Sequence, residues 1–262
     1  MDILSEIIAS KRSGLEAAKR ALPFEQVRAM AVDARVGATA HALRNALKRN
    51  RINIIAEFKR RSPSKGMIRE NADAATLARS YESAGAAAIS VLTEENYFAG
   101  SLDDLRAARA VVSIPILRKD FVFDEWQVHE SAAAGADALL LIVAALDDET
   151  LAGLLRLTEE DLGMDALVEV HTREEMERAV AHGAKLIGVN NRDLRTFDVS
   201  TKTSLQLALF APAAAVLVSE SGLTPDELPK LKVAGYSGFL IGETLMRAAD
   251  PGRQLQTFQG EN

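Results

Sequence analysis

Eight short apolar runs, rich in β-branched residues, recur along the chain and constrain its fold more than any other feature. They fall at residues 52–58, 87–92, 114–117, 138–143, 166–170, 186–189, 215–218 and 238–241. Their spacing of roughly 20–33 residues is about the length of one strand-plus-helix unit. The runs are nearly continuous rather than alternating, as parallel strands covered on both faces require. Between them lie Ala- and Leu-rich stretches bounded by capping signals. Residues 74–84 end before Gly85, 102–112 follow Ser101, 125–134 end before Gly135, and 149–162 end before Gly163. Residues 173–181 run from Thr172 towards Gly183, and 225–233 follow Thr224, with Pro225 first, and end before Gly235. Eight such units predict an α/β fold of the (β/α)8 TIM barrel type. A doubly wound sheet is the alternative. It usually has fewer strands and a Gly-rich first turn, and no Gly-x-Gly-x-x-Gly occurs here.

The first 50 residues lie outside this repeat. Ile3, Leu4, Ile7 and Ile8 have helical spacing, as do Leu15 and Ala18. One or two extra helices are expected there, either steadying the barrel or covering a substrate. No stretch reads as a linker, so 1–262 is expected to be a single (β/α)8 barrel domain, of which 1–50 is an N-terminal helical extension. Residues 254–262 read as a polar tail.

Composition narrows the function. Hydrophobic residues make up 48% of the 262, enough for a sizeable core. The 31 Lys and Arg against 37 Asp and Glu leave a net charge of −6, unlike a general nucleic-acid binder. There are no cysteines, which removes disulfides, thiol nucleophiles and thiolate metal sites. His41, His129, His171 and His182 have no metal-ligand spacing, and each is expected in a structural or surface role. No apolar run approaches the roughly 20 residues needed to span a bilayer. The amino-terminal residues lack the basic region and cleavage site of a signal peptide, so a cytoplasmic location is expected.

In barrels of this kind the chemistry sits at the carboxyl ends of the strands. Those positions carry Glu57 and Lys59 on the first strand, Thr93 and Glu94 on the second, and Lys119 on the third. Glu169 follows on the fifth, Asn190 on the sixth, Glu220 and Ser221 on the seventh, and Gly242 on the eighth. Glu57, Lys59, Lys119, Glu169 and Glu220 all belong to odd-numbered strands, whose side chains share layers of the interior. Three carboxylates and two ammonium groups can compensate one another in one cavity. The loops after strands seven and eight contain Gly222 and Gly242, which let backbone N–H groups approach an anion, and a helix start at Glu243 adds its dipole. Ser62, Ser64 and Arg192 are further phosphate candidates. Catalysis on a small phosphorylated substrate is the expectation. A Schiff-base aldolase using Lys119 or Lys59 as nucleophile stays open on the residues alone.

Motifs along the whole barrel then resemble those of the indole-3-glycerol phosphate synthase family. They are residues 55–66, Ser90-Val91-Leu92-Thr93-Glu94 with Tyr97, Phe98, Gly100 and Ser101, 115–121, 140–143, 167–171, 188–194, 218–222 and 238–247. Ile3-Leu4, Ile7-Ile8 and Lys11 look like that family's amino-terminal extension. The resemblance implies ring closure, decarboxylation and dehydration of 1-(2-carboxyphenylamino)-1-deoxyribulose 5-phosphate, with no cofactor and no metal. It implies Lys119 as general acid, Glu169 as the group facing the cationic ring nitrogen, and Lys59, held by Glu57, assisting loss of the hydroxyl. Asn190, Glu220 and Ser221 would position the sugar chain. Ser62, Arg192, Gly222, Gly242 and Glu243 would meet the phosphate, while Phe98, Phe121 and Leu194 would wall the anthranilate ring. The expected partner is the small-molecule substrate, with no nucleic acid and no membrane, and the expected assembly is a monomer or weak homo-oligomer. Two physical expectations follow. Burial or the second lysine should lower the pKa of Lys119, and residues 60–69 should be mobile without ligand and close over it.

Overall fold

A computed structural model describes residues 3–194 and 196–260. Eight parallel strands form its centre: β1 (Ile54–Phe58), β2 (Ala88–Leu92), β3 (Ile116–Lys119), β4 (Ala138–Ile142), β5 (Asp165–Val170), β6 (Leu186–Asn190), β7 (Val216–Glu220) and β8 (Tyr236–Ile241). Each pairs with its sequence neighbours, and β8 returns to β1, so the sheet closes into a barrel with no free edge. All eight apolar runs are therefore strands, and the (β/α)8 expectation holds.

Strand alternation decides what faces where. On β1, Ile54, Ala56 and Phe58 pack outward with the helices, whereas Ile55 joins the core inside the barrel. On β5, Ala166, Val168 and Val170 point out and Leu167 points in. Leu117, Leu140, Leu186, Val218 and Leu240 complete the inner core. Continuing the same period of two turns Glu57, Lys119, Glu169 and Glu220 inward above that apolar floor.

The helices are α1 (Ile3–Ala21), α2 (Phe24–Arg35), α3 (Ala42–Leu47), α4 (Ala74–Ser83), α5 (Leu102–Arg109), α6 (Glu125–Ala133), α7 (Asp148–Arg156), α8 (Arg173–Ala181), α9 (Lys202–Leu207), α10 (Leu228–Val233), α11 (Glu243–Arg247) and α12 (Pro251–Gln259). Ser101 caps α5 through the N–H of Asp104, and Thr172 caps α8 through that of Glu175, as the sequence suggested. Gly85 and Gly135 end α4 and α6 at φ +87° and +89°, conformations that favour glycine.

Several expectations need correction. The extension holds three helices rather than one or two. The helix expected over 225–233 begins only at Leu228, because Thr224 bonds the Glu227 carboxylate in a turn and does not act as its cap. The stretch expected as one helix to Leu162 is α7 followed by a π-helical turn over Leu157–Asp161. Residues 254–259 are not a tail: they belong to α12, which buries Leu255 and Phe258. The last two residues of that expected tail lie outside the described residues.

The extension touches both ends of the barrel. Ile3, Leu4 and Ile7 of α1 border the cavity at the carboxyl ends of the strands. Leu15 and Val27 pack on Trp126 of α6 along the side. Leu43 and Leu47 of α3 then enter the inner core from the opposite end. There Asp165, at the start of β5, accepts the Arg44 N–H at 2.8 Å, and the Asn53 side-chain amide donates to the carbonyls of Leu47 and Ser237.

Candidate active site

A cavity of about 410 Å³ opens at the carboxyl ends of the strands. Every residue singled out as a site candidate borders it: Glu57, Lys59, Ser62, Phe98, Lys119, Phe121, Glu169, Asn190, Arg192, Leu194, Glu220, Ser221, Gly222, Gly242 and Glu243. Ser64 does so as well. Thr93 and Glu94 do not take part. Thr93 bonds Asp120 and Arg118, and Glu94 accepts from the N–H groups of Asn96, Tyr97 and Phe98.

The floor of the cavity is a charge network. Lys119 Nζ donates to Glu169 Oε2 at 2.9 Å and also to Glu220 Oε2, while Lys59 donates to Glu57. Glycines make room for two of these carboxylates. A Cβ on Gly188 would collide with Glu220 Oε1, and one on Gly242 with Glu57 Oε1. Small residues at the strand ends are thus part of how the acids fit.

The network sets protonation. Burial alone works against the Lys119 ammonium, yet Glu169, Glu220 and Glu57 outweigh it and raise its pKa well above that of a free lysine. The expected lowering is therefore overturned: carboxylates surround this amine, and their pull exceeds both desolvation and any repulsion from Lys59. Burial would raise Glu169, but Lys119 and His171 hold it well below the usual carboxylate range. Glu220 goes the other way. Burial, with Glu169 and Glu57 nearby, pushes it up to about 7 despite Lys119. One ammonium shared by two buried carboxylates cannot keep both fully ionised.

The rim suits an anion. Ser221 and Gly222 adopt left-handed conformations in succession, with φ +68° and +69°. The Ser221 carbonyl accepts from the buried Asn191 amide, which helps hold this unusual turn. Without a side chain on Gly222, the backbone of this turn can come close to an anion. Gly242 caps the start of α11, and the Glu243 carboxylate bonds Arg247 at 3.0 Å along that helix. On the opposite side, Phe98 and Phe121 form an aromatic wall with ring centroids 6.1 Å apart. Residues 60–69 frame the mouth. They contain a short antiparallel ladder, Arg61–Ser62 with Gly66–Met67, anchored where Arg60 grips Asp104 with two bonds of 2.6 Å.

Two features escaped the sequence. His171, expected in a structural or surface role, touches Glu169. Lys11 of α1 pairs at 2.7 Å with buried Asp120, one residue beyond Lys119, and so fixes the extension to the site. The only sequence signal for His171 was its position two residues after Glu169, which places both on one side of a strand.

Known proteins resemble this chain in sequence and in fold. A family model described as indole-3-glycerol phosphate synthase matches residues 4–258. A protein of that name from Carboxydothermus hydrogenoformans is 48% identical over 259 residues, covering 97% of this chain and 98% of the relative. One from Bacteroides thetaiotaomicron is 45% identical, covering 98% and 97%. Among solved structures, a 3-hexulose-6-phosphate synthase superposes with a TM-score of 0.64 at 16% identity, covering 80% of this chain and 99% of that one. A thiamine phosphate pyrophosphorylase from Pyrococcus furiosus does so at 0.60 and 16%, covering 84% and 98%. At that identity the two structures speak for the barrel fold alone.

Proposed function

The chain belongs to the indole-3-glycerol phosphate synthase family, and from that premise we propose how its side chains divide the work. The enzyme is a carbon–carbon lyase of tryptophan biosynthesis. It closes, decarboxylates and dehydrates 1-(2-carboxyphenylamino)-1-deoxyribulose 5-phosphate to indole-3-glycerol phosphate. In that reaction the aromatic carbon bearing the carboxylate attacks the ketone. The ketone oxygen leaves as water and collects two protons on the way, while the carbon beside nitrogen gives up one. Because the carboxylate departs as carbon dioxide, each turnover draws a proton from solvent.

Lys119 is the first acid, protonating the ketone oxygen as the new bond forms. Glu169, ionised beside it, faces the nitrogen as positive charge develops there and receives the proton released on aromatisation. Lys59, held by Glu57, assists departure of the hydroxyl. Asn190, Glu220 and Ser221 orient the sugar chain. Ser62, Arg192 and the backbones of Gly222, Gly242 and Glu243 grip the phosphate. Phe98, Phe121 and Leu194 flank the ring. The observation that carries this reading is Lys119 held between Glu169 and Glu220 in the cavity whose rim includes the Ser221–Gly222 turn. A Schiff-base role fits less well, since a nucleophilic lysine must give up its proton and these carboxylates retain it. Mixing the protein with the carboxyphenylamino substrate and following indole fluorescence tests the assignment. Turnover that persists when Lys119 and Glu169 are both neutralised would sink it.

The same reading takes residues 1–262 as one domain with 1–50 as its extension, in the cytoplasm, as a monomer or weak homo-oligomer and without a cofactor. No helix among the described residues is long and apolar enough to cross a membrane. The exposed large apolar side chains include Met30, Val32 and Val36 on or just after α2, Leu205, Leu209 and Phe210 in and after α9, and Val233 on α10. Sedimentation at several concentrations measures the assembly.

A further inference from the structure

His171 stands directly after β5, in the inward file that holds Leu167 and Glu169. Its Nδ1 lies 3.1 Å from Glu175 Oε2, and its backbone N–H donates to the same oxygen at 2.7 Å. Glu175 thereby fixes the ring. The other nitrogen, Nε2, is buried, has no aligned hydrogen-bond partner, and sits 3.4 Å from Glu169 Oε1. Lys119 occupies Oε2, the opposite oxygen of that carboxylate. A second cavity of about 560 Å³ adjoins the first, sharing Leu4, Asn190, Arg192 and Leu194 with it and taking in His171 and Glu175.

We propose that His171, as an imidazolium, is a positioning residue for Glu169, clamping its carboxylate from the side opposite Lys119. The need follows from the charge arrangement. Lys119 serves two carboxylates at once, Glu169 and Glu220. When it turns its proton towards the ketone, Glu169 would be left buried beside no cation, at a cost of several kcal/mol for a bare buried charge. His171 remains in place through that movement. It keeps Glu169 an anion and fixes which oxygen faces the reacting carbon and nitrogen.

The charged groups around His171 are Glu169 on its own strand, Glu175 on α8, and Arg192, Asp193 and Asp198 across the second cavity. Burial disfavours the imidazolium, but the two glutamates prevail and push its pKa up to about 10, so the cation persists through neutral pH.

The inference rests on Glu169 being the base, and the test separates the two ideas. The variants are His171→Ala, His171→Gln, Glu175→Gln and Glu169→Gln, each checked for folding by circular dichroism at every pH and assayed by indole fluorescence from the lowest pH at which the fold persists up to about pH 9. Removing a cation 3.4 Å from a buried carboxylate predicts a fall in kcat of roughly tenfold to a hundredfold for His171→Ala, with KM little changed. The acidic limb of its kcat profile should move towards neutrality, because Glu169 without this cation takes up a proton at higher pH. His171→Gln keeps a donor but no charge, so it should recover part of kcat and leave the limb displaced. Glu175→Gln should shift both in the same directions by less, and it carries the test alone if the alanine variant does not fold. Parental kcat and limb in His171→Ala would overturn the proposal. So would a kcat loss with an unmoved limb in both His171→Ala and Glu175→Gln, which is the signature of packing. Glu169→Gln with parental turnover would overturn the base assignment itself, whatever His171 does.

Discussion

Lys119 carries a proton that its neighbours hold tightly, which fits an acid that gives it up only to an oxygen gaining negative charge. Lys119→Ala should retain substrate binding while kcat falls about 10²–10⁴-fold, the usual share of a general acid. Single-turnover fluorescence beside equilibrium titration measures both, and turnover within a fewfold of the parent would remove Lys119 from that role. Alkaline loss of activity should also come later than for an ordinary lysine, since Glu169, Glu220 and Glu57 raise its pKa. Glu220 offers a sharper pH test. Its folded pKa of about 7 lies above the ordinary 4.5. The folded chain thus binds an extra proton between those values, and the stabilisation, complete below about 4.5, is lost as pH rises through about 7. Glu220→Gln removes that loss, so its urea midpoint should gain on the parent's between about pH 4.5 and 7. A difference that stays constant over that range would contradict the shift. The acids and lysines of the site were legible because each interrupts an apolar strand at a strand end. His171 was not, because its meaning depends on Glu175, four residues on, which reads in sequence as an ordinary first-turn glutamate.

The elements around the mouth have their own energetics. α1 buries only Ile7 and Leu15 along its 19 residues, so little apolar area holds it. The Lys11–Asp120 pair, with both partners mostly buried, is its polar anchor nearest the cavity, and Lys19 pairs with Asp124 further along. Lys11→Met should loosen the helix over the cavity and raise KM roughly fivefold, about 1 kcal/mol, with a smaller effect on kcat; an unchanged KM would mean the anchor does not reach the substrate. Residues 62–66 are held at their base by Arg60 but carry few apolar contacts. Their amides should exchange rapidly in the free protein and slow when the substrate's phosphate is bound. Slow exchange without ligand would rule out closure. The helix boundaries misread from sequence share a cause. Thr224-Pro225 looks like a cap, yet the local Thr224–Glu227 bond satisfies the same groups in a turn. α12 was missed because Leu255 and Phe258 are too few to stand out among polar neighbours, although they suffice once β1 and α4 are there to cover them.

For the whole molecule, closure of the barrel is what gathers carboxylates 163 positions apart, Glu57 and Glu220, into one cavity. This much was plain from eight spaced apolar runs. The path of the extension was not, since helical spacing shows that a helix exists and not where it lies. The sequence left steadying and covering as alternatives. The structure gives the covering side to α1 and the steadying side to α3. Leu47 is 1% exposed within the inner core. Leu47→Ala should therefore cost about 2–5 kcal/mol by urea unfolding, with kcat nearly intact because the plug lies at the end away from the chemistry. A loss below about 1 kcal/mol would mean the floor is loosely packed.

Leu47 also lies over Gly238 on β8, the strand that completes the circle. On the ribosome, residues nearer the amino end emerge first, so α3 is made long before the seat it must fill. Until nearly two hundred further residues have followed, Leu43 and Leu47 are apolar surface in search of cover, and a chaperone that shields them would be guarding the keystone of an arch still under construction.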